Sequence, residues 1–256
     1  ISAVVSNRRL SRYSGIMNLA LASERNVPRR RNGYIPPRGV STDTLQHLLR
    51  EYGRDPGSDK QLDMLRTYGA KDVFIYCAGD RRLLGDHVVS IVGTREISEE
   101  GIRRATRLSR ELAMAGVVGM SGLAKGVDTV AHRASIAAGG RTAAVIGTPI
   151  SRAYPAENAE LQMEIYSHHL LLSPFAEGEE VFRSNFPKRN RVMALLSDAT
   201  VIIEASDTSG TLHQAAECQK NDRWLFILKS VVDDTRLTWP AKFLNHNKTM
   251  VLESTD

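Results

Sequence analysis

From Asp72 onward the chain alternates short, almost continuously aliphatic runs with longer stretches of helical spacing, and few folds satisfy that alternation. The runs are Asp72 to Cys77, Val88 to Val92, Val117 to Met120, Thr142 to Ile146, Leu170 to Leu172, Thr200 to Glu204, Trp224 to Leu228 and Met250 to Leu252. A strand that is apolar on both of its alternating faces must be covered on both sides, and helices between such strands supply the cover and the crossovers that parallel pairing needs. One helix is legible in detail. Ser98 stands at a capping position, Ile102, Ala105, Leu108 and Leu112 form an apolar stripe, and Gly116 falls where a left-handed residue ends a helix. The pattern predicts an α/β fold, an extended Rossmann-like domain whose mostly parallel sheet is covered by helices on both faces.

Residues 1–66 read differently. Nine arginines fall between Ile1 and Arg50 against only Glu24 and Asp43, which exceeds the whole-chain net charge of +5 and leaves the remainder close to neutral. Pro36-Pro37 and Gly39 mark a linker, and two short helices are expected, Thr44 to Gly53 with Leu45, Leu48 and Leu49 as its stripe, and Gln61 to Tyr68. The expected organisation is a basic, arginine-rich N-terminal extension over 1–66 and the Rossmann-like domain over 67–256. Such a basic block is either a solvated arm or an electrostatic footprint for phosphates. With 42% hydrophobic and 25% charged residues the chain has the makings of an ordinary core. Its two cysteines, Cys77 and Cys218, cannot form a disulfide framework. No apolar run reaches the roughly 20 residues of a membrane span, so no membrane partner and a cytoplasmic location are expected.

Ligands of such sheets bind beyond the carboxyl ends of the strands. Gly93, Thr94 and Arg95 follow the Val88 run and precede the capping Ser98, combining close backbone approach, unpaired helix N–H groups and a guanidinium fork. Ser121, Gly122, Lys125 and Gly126 lie in the next crossover loop, a composition suited to phosphate that nonetheless lacks the ending of a P-loop. Phe186-Pro187-Lys188-Arg189-Asn190-Arg191 crowds cations at the start of a helix, which opposes the helix dipole unless an anion sits there; Arg189 alternatively pairs internally with Asp198 or Glu204. Ser209, Gly210 and Thr211 open a further helix. Anion-friendly loops after four strands of one sheet point to a polyanion. Metal chemistry has no support, because Cys77, Cys218, His132, His168, His169 and His213 lack ligand spacing and the adjacent His168 and His169 would face opposite sides of a strand. No cofactor and no metal are assigned.

Taken in order, Val92-Gly93-Thr94-Arg95 with Ser98, the run from Ser121 to His132, Tyr154-Pro155 with Glu157 and Asn158, Phe186 to Arg191, and Glu204 to Leu212 resemble the motifs of the DNA-processing protein A family, DprA/Smf, over roughly Asp72 to Lys229. The resemblance implies an extended Rossmann fold, a homodimer, and a non-enzymatic protein that binds and protects single-stranded DNA with little sequence preference. It further implies loading of the RecA recombinase onto that DNA in transformation and recombination. Arg95, Lys188 and Arg191 would contact phosphates. Gly93, Ser121, Gly122, Ser209 and Gly210 would offer backbone or hydroxyl donors, and Lys125 would add charge at the rim. Phe186 either stacks on a base or fills the core. The chain departs from the family's pattern at Gly147-Thr148-Pro149, where a second glycine pair is usual, and around Asp207-Thr208 and His213-Gln214. Its arginine-rich stretch is unlike the helical N-terminal domain often found in the family.

Two other classes use this kind of sheet. Nucleoside-monophosphate hydrolases of the "lonely guy" type place a catalytic glutamate where this chain has Gln214, and a glutamine cannot act as a base or stabilise a developing cation. A nucleotide-sensing domain would be saturated by a mononucleotide, whereas a strand binder neutralises many phosphates and weakens steeply with salt.

Overall fold

The structure is a computed structural model in which residues 33–54 and 73–253 are described. The chain divides into two units, 1–35 and 36–256, and the second carries a nine-stranded sheet. Its strands are β1 (Ser41–Thr44), β2 (Phe74–Gly79), β3 (Val88–Val92), β4 (Val118–Ser121), β5 (Thr142–Val145), β6 (Leu170–Ser173), β7 (Ala199–Ile202), β8 (Trp224–Leu228) and β9 (Thr249–Leu252). Among them run α1 (Leu45–Glu51), α2 (Glu99–Met114), α3 (Val127–Ala137), α4 (Ala159–His168), α5 (Asn185–Leu196), α6 (Thr211–Lys220) and the short α7 (Lys229–Val232).

The strand order is β1-β2-β6-β5-β4-β3-β7-β8-β9. From β6 to β9 every neighbouring pair is parallel, while β2 joins β6, and β1 joins β2, in antiparallel fashion. Every residue of β4, β5, β6 and β7 is buried, which requires cover on both faces and accounts for their unbroken aliphatic sequences. The mostly parallel, Rossmann-like α/β architecture is thus as the alternation implies. Starting at β3, the chain winds outward through β4, β5 and β6, then returns to β7 on the other flank of β3 and winds away through β8 and β9. Neighbouring β3 and β7 therefore mark the point where the winding reverses, and the crevice beyond their carboxyl ends is where such sheets take ligands.

At α2 both caps form as the sequence implies and Ala105 and Leu108 are buried, while Ile102 of the expected stripe is 41% exposed. The Ser98 hydroxyl accepts from Gly101 N at 3.0 Å, and Gly116 adopts a φ of +75° just past the helix. At the β1 edge of the sheet, α1 is capped by Thr44, whose hydroxyl accepts from His47 N at 3.1 Å, and Leu45, Leu48 and Leu49 are wholly buried. Each such leucine contributes about 2 kcal/mol of burial. Because α1 packs into the main core and β1 pairs with β2, the sheet begins upstream of residue 67. The expected helix over Gln61 to Tyr68 and most of the arginine-rich stretch lie outside the described residues. No helix among the described residues is long and apolar enough to cross a membrane.

Candidate nucleic-acid interface

The loops after β3 and β7 are stitched together before any ligand is considered. Thr94 N donates to Glu204 O at 2.7 Å, Val127 N donates to Thr94 O at 3.2 Å, and the Thr211 hydroxyl donates to Gly93 O at 3.0 Å. A side chain at Gly93 would meet Val127 and the Glu204 carbonyl, and one at Gly126 would meet the backbone of Thr94 and Arg95, so both glycines permit backbone to pack on backbone. The result is a cleft of about 450 Å³ at the winding reversal. Gly93, Thr94, Arg95, Phe186, Arg189, Asn190, Ser209, Gly210 and Thr211 line it, as the sequence led one to expect. Asp128, Ser206, Thr208 and Gln214 also line it; they lie in or beside the motif runs read from the sequence, which do not assign them to the DNA-binding set.

Arg95 is exposed at the mouth of the cleft, with its guanidinium 5.3 Å from the centre of the Phe186 ring. This cation–π contact orients a long side chain that would otherwise be free to swing. On the far side of Phe186 lies a smaller hollow, bounded by Arg95, Gly122, Lys125, Tyr154, Phe186 and Arg189 among others. Lys125 stands at its rim in an ion pair of 2.7 Å with Glu157.

Beneath both hollows lies Arg189, only 5% exposed. It donates to Val145 O at 2.9 Å and approaches the Asp128 carboxylate at 3.9 Å, so its acidic partner is Asp128 and not Asp198 or Glu204. Asp198 instead holds Arg54 at 2.9 Å, and Glu204 accepts from the Ser98 hydroxyl at 3.0 Å. Gly122 exists for Arg189: a side chain there would occupy the space of the guanidinium. Burial pushes the Asp128 carboxyl above its ordinary value, with Arg189 and the N–H groups of Ala124 and Gly122 acting against that shift. Burial also lowers the pKa of Arg189, opposed by Asp128 and reinforced by Arg95, but a guanidinium remains charged and gives the floor of the cleft a fixed positive charge.

The cationic hexapeptide does not act as a block. Lys188 to Arg191 fall in the second turn of α5, and successive residues on a helix point about 100° apart. Lys188 is exposed and lines neither hollow, Arg189 turns inward, and Asn190 donates to Gly210 O at 3.3 Å. Arg191 turns toward α6, where two hydrogen bonds of 2.8 and 2.7 Å bind it to Glu217. The dipole conflict inferred for this cluster is thus relieved within the protein at Arg191, whose charge is neutralised. Two hydroxyls are also committed to the scaffold. Ser121 is buried and donates to Ile91 O at 2.6 Å, and Ser98 both caps α2 and donates to Glu204. The Ser209 hydroxyl accepts from Thr211 N at 3.2 Å, folding the opening of α6.

His168 and His169 do not alternate on a strand; they close α4, and His169 is buried. Among the described residues, Asp43, His47 and Glu51 bring possible metal donors within 4.8 Å of one another. The Arg81 guanidinium already lies between the two carboxylates, 2.6 Å from Asp43 and 3.2 Å from Glu51, and fulfils the role a cation would have.

Residues 57–256 match the family model described as DNA recombination-mediator protein A. Among curated proteins, the DNA processing protein DprA of Streptococcus pneumoniae is 34% identical over 193 residues, covering 73% of this chain and 68% of that protein. The Smf protein of Synechocystis is 39% identical over 145 residues, covering 57% of this chain and 36% of its own length. A solved structure of DNA processing protein A from Helicobacter pylori, described for its single-stranded DNA binding mode, superposes with a TM-score of 0.67 at 25% identity, over 84% of this chain and 92% of that one. The X-ray structure of the Streptococcus pneumoniae protein gives the same TM-score of 0.67 at 28% identity, over 96% of this chain and 78% of that one. With the family motifs lying in order along a sheet of matching topology, the chain belongs to the DNA recombination-mediator protein A family.

Proposed function

We infer that the cleft between the β3 and β7 loops binds single-stranded DNA with little sequence preference, and that the protein serves as a recombination mediator rather than an enzyme. One observation carries this reading: an exposed arginine stacked on an aromatic ring at the mouth of a cleft with a buried arginine as its floor. That is the pairing of charge and flat apolar surface that a flexible polyphosphate with unpaired bases requires. The relative from Helicobacter pylori, described for binding single-stranded DNA, supports the reading. Arg95, with Lys188 on the exposed side of α5, would meet phosphates, Phe186 would meet a base, Gly93, Thr94, Asn190, Ser209, Gly210 and Thr211 would complete the wall, and Lys125 would add charge at the rim of the smaller hollow. The hydrolase alternative has little to draw on, since the Gln214 amide is buried and donates to Thr200 at 3.2 Å.

In this reading the protein covers single strands as a homodimer and delivers them to RecA. Trp224 and Phe226 of β8 stack at 6.3 Å on the same sheet face as Met250 of β9, and this exposed apolar patch supports self-association. Light scattering that finds a monomer at micromolar concentration would remove the dimer. Fluorescence anisotropy with labelled oligonucleotides, titrated with salt and with AMP as competitor, tests the DNA assignment. Tight binding of single strands, weak binding of duplex, a steep fall with salt and no displacement by AMP are expected. Equal affinity for both forms of DNA, or displacement by the mononucleotide, overturns it.

A further inference from the structure

The loop that follows β7 forms one wall of the main cleft, and its residues divide between two tasks. Ser206, Thr208, Ser209 and Gly210 line the cleft, whereas Asp207 lines neither hollow. Its carboxylate meets backbone from far along the chain instead. Asp207 accepts from Thr238 N at 3.0 Å and from Trp239 N at 2.8 Å, both in the connection between β8 and β9. A carboxylate that takes the N–H groups of two successive residues makes charge-assisted bonds, about twice as strong as neutral ones. Desolvation pushes the Asp207 pKa up, but those N–H groups outweigh it, hold the carboxyl below its ordinary value and keep it charged.

The connection is firmly seated at this point. Trp239 is wholly buried in the main core, its indole N–H donates to Ala205 O at 3.0 Å, and the Phe243 ring packs edge-on against it at 5.9 Å. One pair of residues therefore grips the loop twice, at Ala205 and at Asp207. The far end of the loop is fixed by the bond from the Thr211 hydroxyl to Gly93 O. Between these anchors the chain turns on itself, with Ser209 N donating to Ser206 O at 3.0 Å, and the Asp207 bonds set where that turn sits.

Resting on the single-strand reading above, we propose that Asp207 is a positioning residue for strand binding: it touches no DNA, and it holds residues 206–210 in the conformation that presents their hydroxyl and N–H groups to the strand. A wall ordered in advance spares the strand the cost of ordering a loop as it binds. Charge and bonding act in opposite senses here, since an acid near a polyanion weakens binding by repulsion alone. Removing only the charge therefore tightens binding, and removing the bonds loosens it.

The test uses the full chain and a labelled single-stranded oligonucleotide, measured well below the thermal midpoint of each variant. Asp207→Ala loses the bonds to Thr238 and Trp239 and binds about fivefold more weakly, the usual effect of one hydrogen bond, through faster dissociation and with an unchanged salt slope. Asp207→Asn keeps an oxygen that accepts the same N–H groups, drops the charge and binds at least as tightly as the parent. Amide exchange at Thr208 and Ser209 of the free protein quickens in the alanine variant and not in the asparagine one, a change that a general loss of stability would not confine to this loop. Alanine binding as tight as the parent's, or an asparagine variant that falls to the alanine level, disproves the role. If the alanine variant fails to fold, exchange in the parent decides: slower exchange at Thr238 when the strand binds supports the role, and no change there overturns it. A parent that binds no single strand defeats the single-strand reading itself, which is a distinct outcome.

Discussion

The guanidinium of Arg189 occupies the space into which a side chain on Gly122 would project, although the two residues belong to different crossovers of the sheet. Overpacking a buried site costs about 1–3 kcal/mol, and here it would also break the bond from Arg189 to Val145 O. Gly122→Ala should therefore lower the thermal midpoint and weaken DNA binding together. Calorimetry and anisotropy on the same sample check this; a variant as stable as the parent would mean that Arg189 has room to move.

Arg191 and Arg95 should respond in opposite ways to removal. The side chains of Arg191 and Glu217 are 13% and 17% exposed, so Arg191→Ala leaves a mostly buried carboxylate without its partner. The expected cost is about 3 kcal/mol, roughly 10 °C in Tm, with an unchanged salt slope of binding. Arg95→Ala should leave Tm alone, lower affinity for all sequences alike and reduce the salt slope by about one unit. Binding isotherms at several salt concentrations decide whether either residue has been assigned the wrong role.

Stability should fall in mild acid because of His132. This histidine is fully buried, and burial, reinforced by His169 and Arg189, depresses its pKa from 6.5 to about 3. The Thr142 hydroxyl donates to Gly119 O at 2.6 Å, so it accepts from Nδ1–H of His132 at 2.7 Å and leaves Nε2 buried and bare. The depressed pKa means that the unfolded chain takes up a proton below pH 6.5 while the folded one does not. The contribution is complete above that pH and is lost as pH falls toward 3, by about 1.4 kcal/mol per unit. Urea unfolding between pH 7 and 4 measures the slope, and His132→Leu should flatten it. An unchanged slope in that variant would place the acid sensitivity elsewhere.

Neither cysteine should react while the protein is folded. Cys77 and Cys218 are buried, and burial pushes their thiols up to about 12 and about 11. A chromogenic disulfide reagent at pH 8 should titrate no thiol in the native protein and two after unfolding. Fast reaction of one thiol would show that its region opens readily.

Two kinds of information are separable in this protein. Aliphatic runs, the caps at Ser98 and Gly116, and the glycines after the strands depend on interactions within a few residues, and those are written in the order of the amino acids. They suffice for the covered parallel sheet, for the edge at which ligands gather, and for Arg95 and Phe186 as members of the site. The fate of Lys188, Arg189 and Arg191 is not local, because helical rotation sends neighbours in different directions and each meets whatever another crossover supplies. Arg189 finds a buried floor beside Asp128, whereas Arg191 finds Glu217 and is neutralised. Ser98 and Ser121 look like ligand donors until folding brings Glu204 and Ile91 within reach. Tyr154 stands in a motif of the sequence that assigns it no role, and only the packing of its loop against α5 sets it beside Phe186. Periodicity encodes which faces must be buried; pairing of charges and hydrogen bonds is decided by distances that exist only once the sheet has closed.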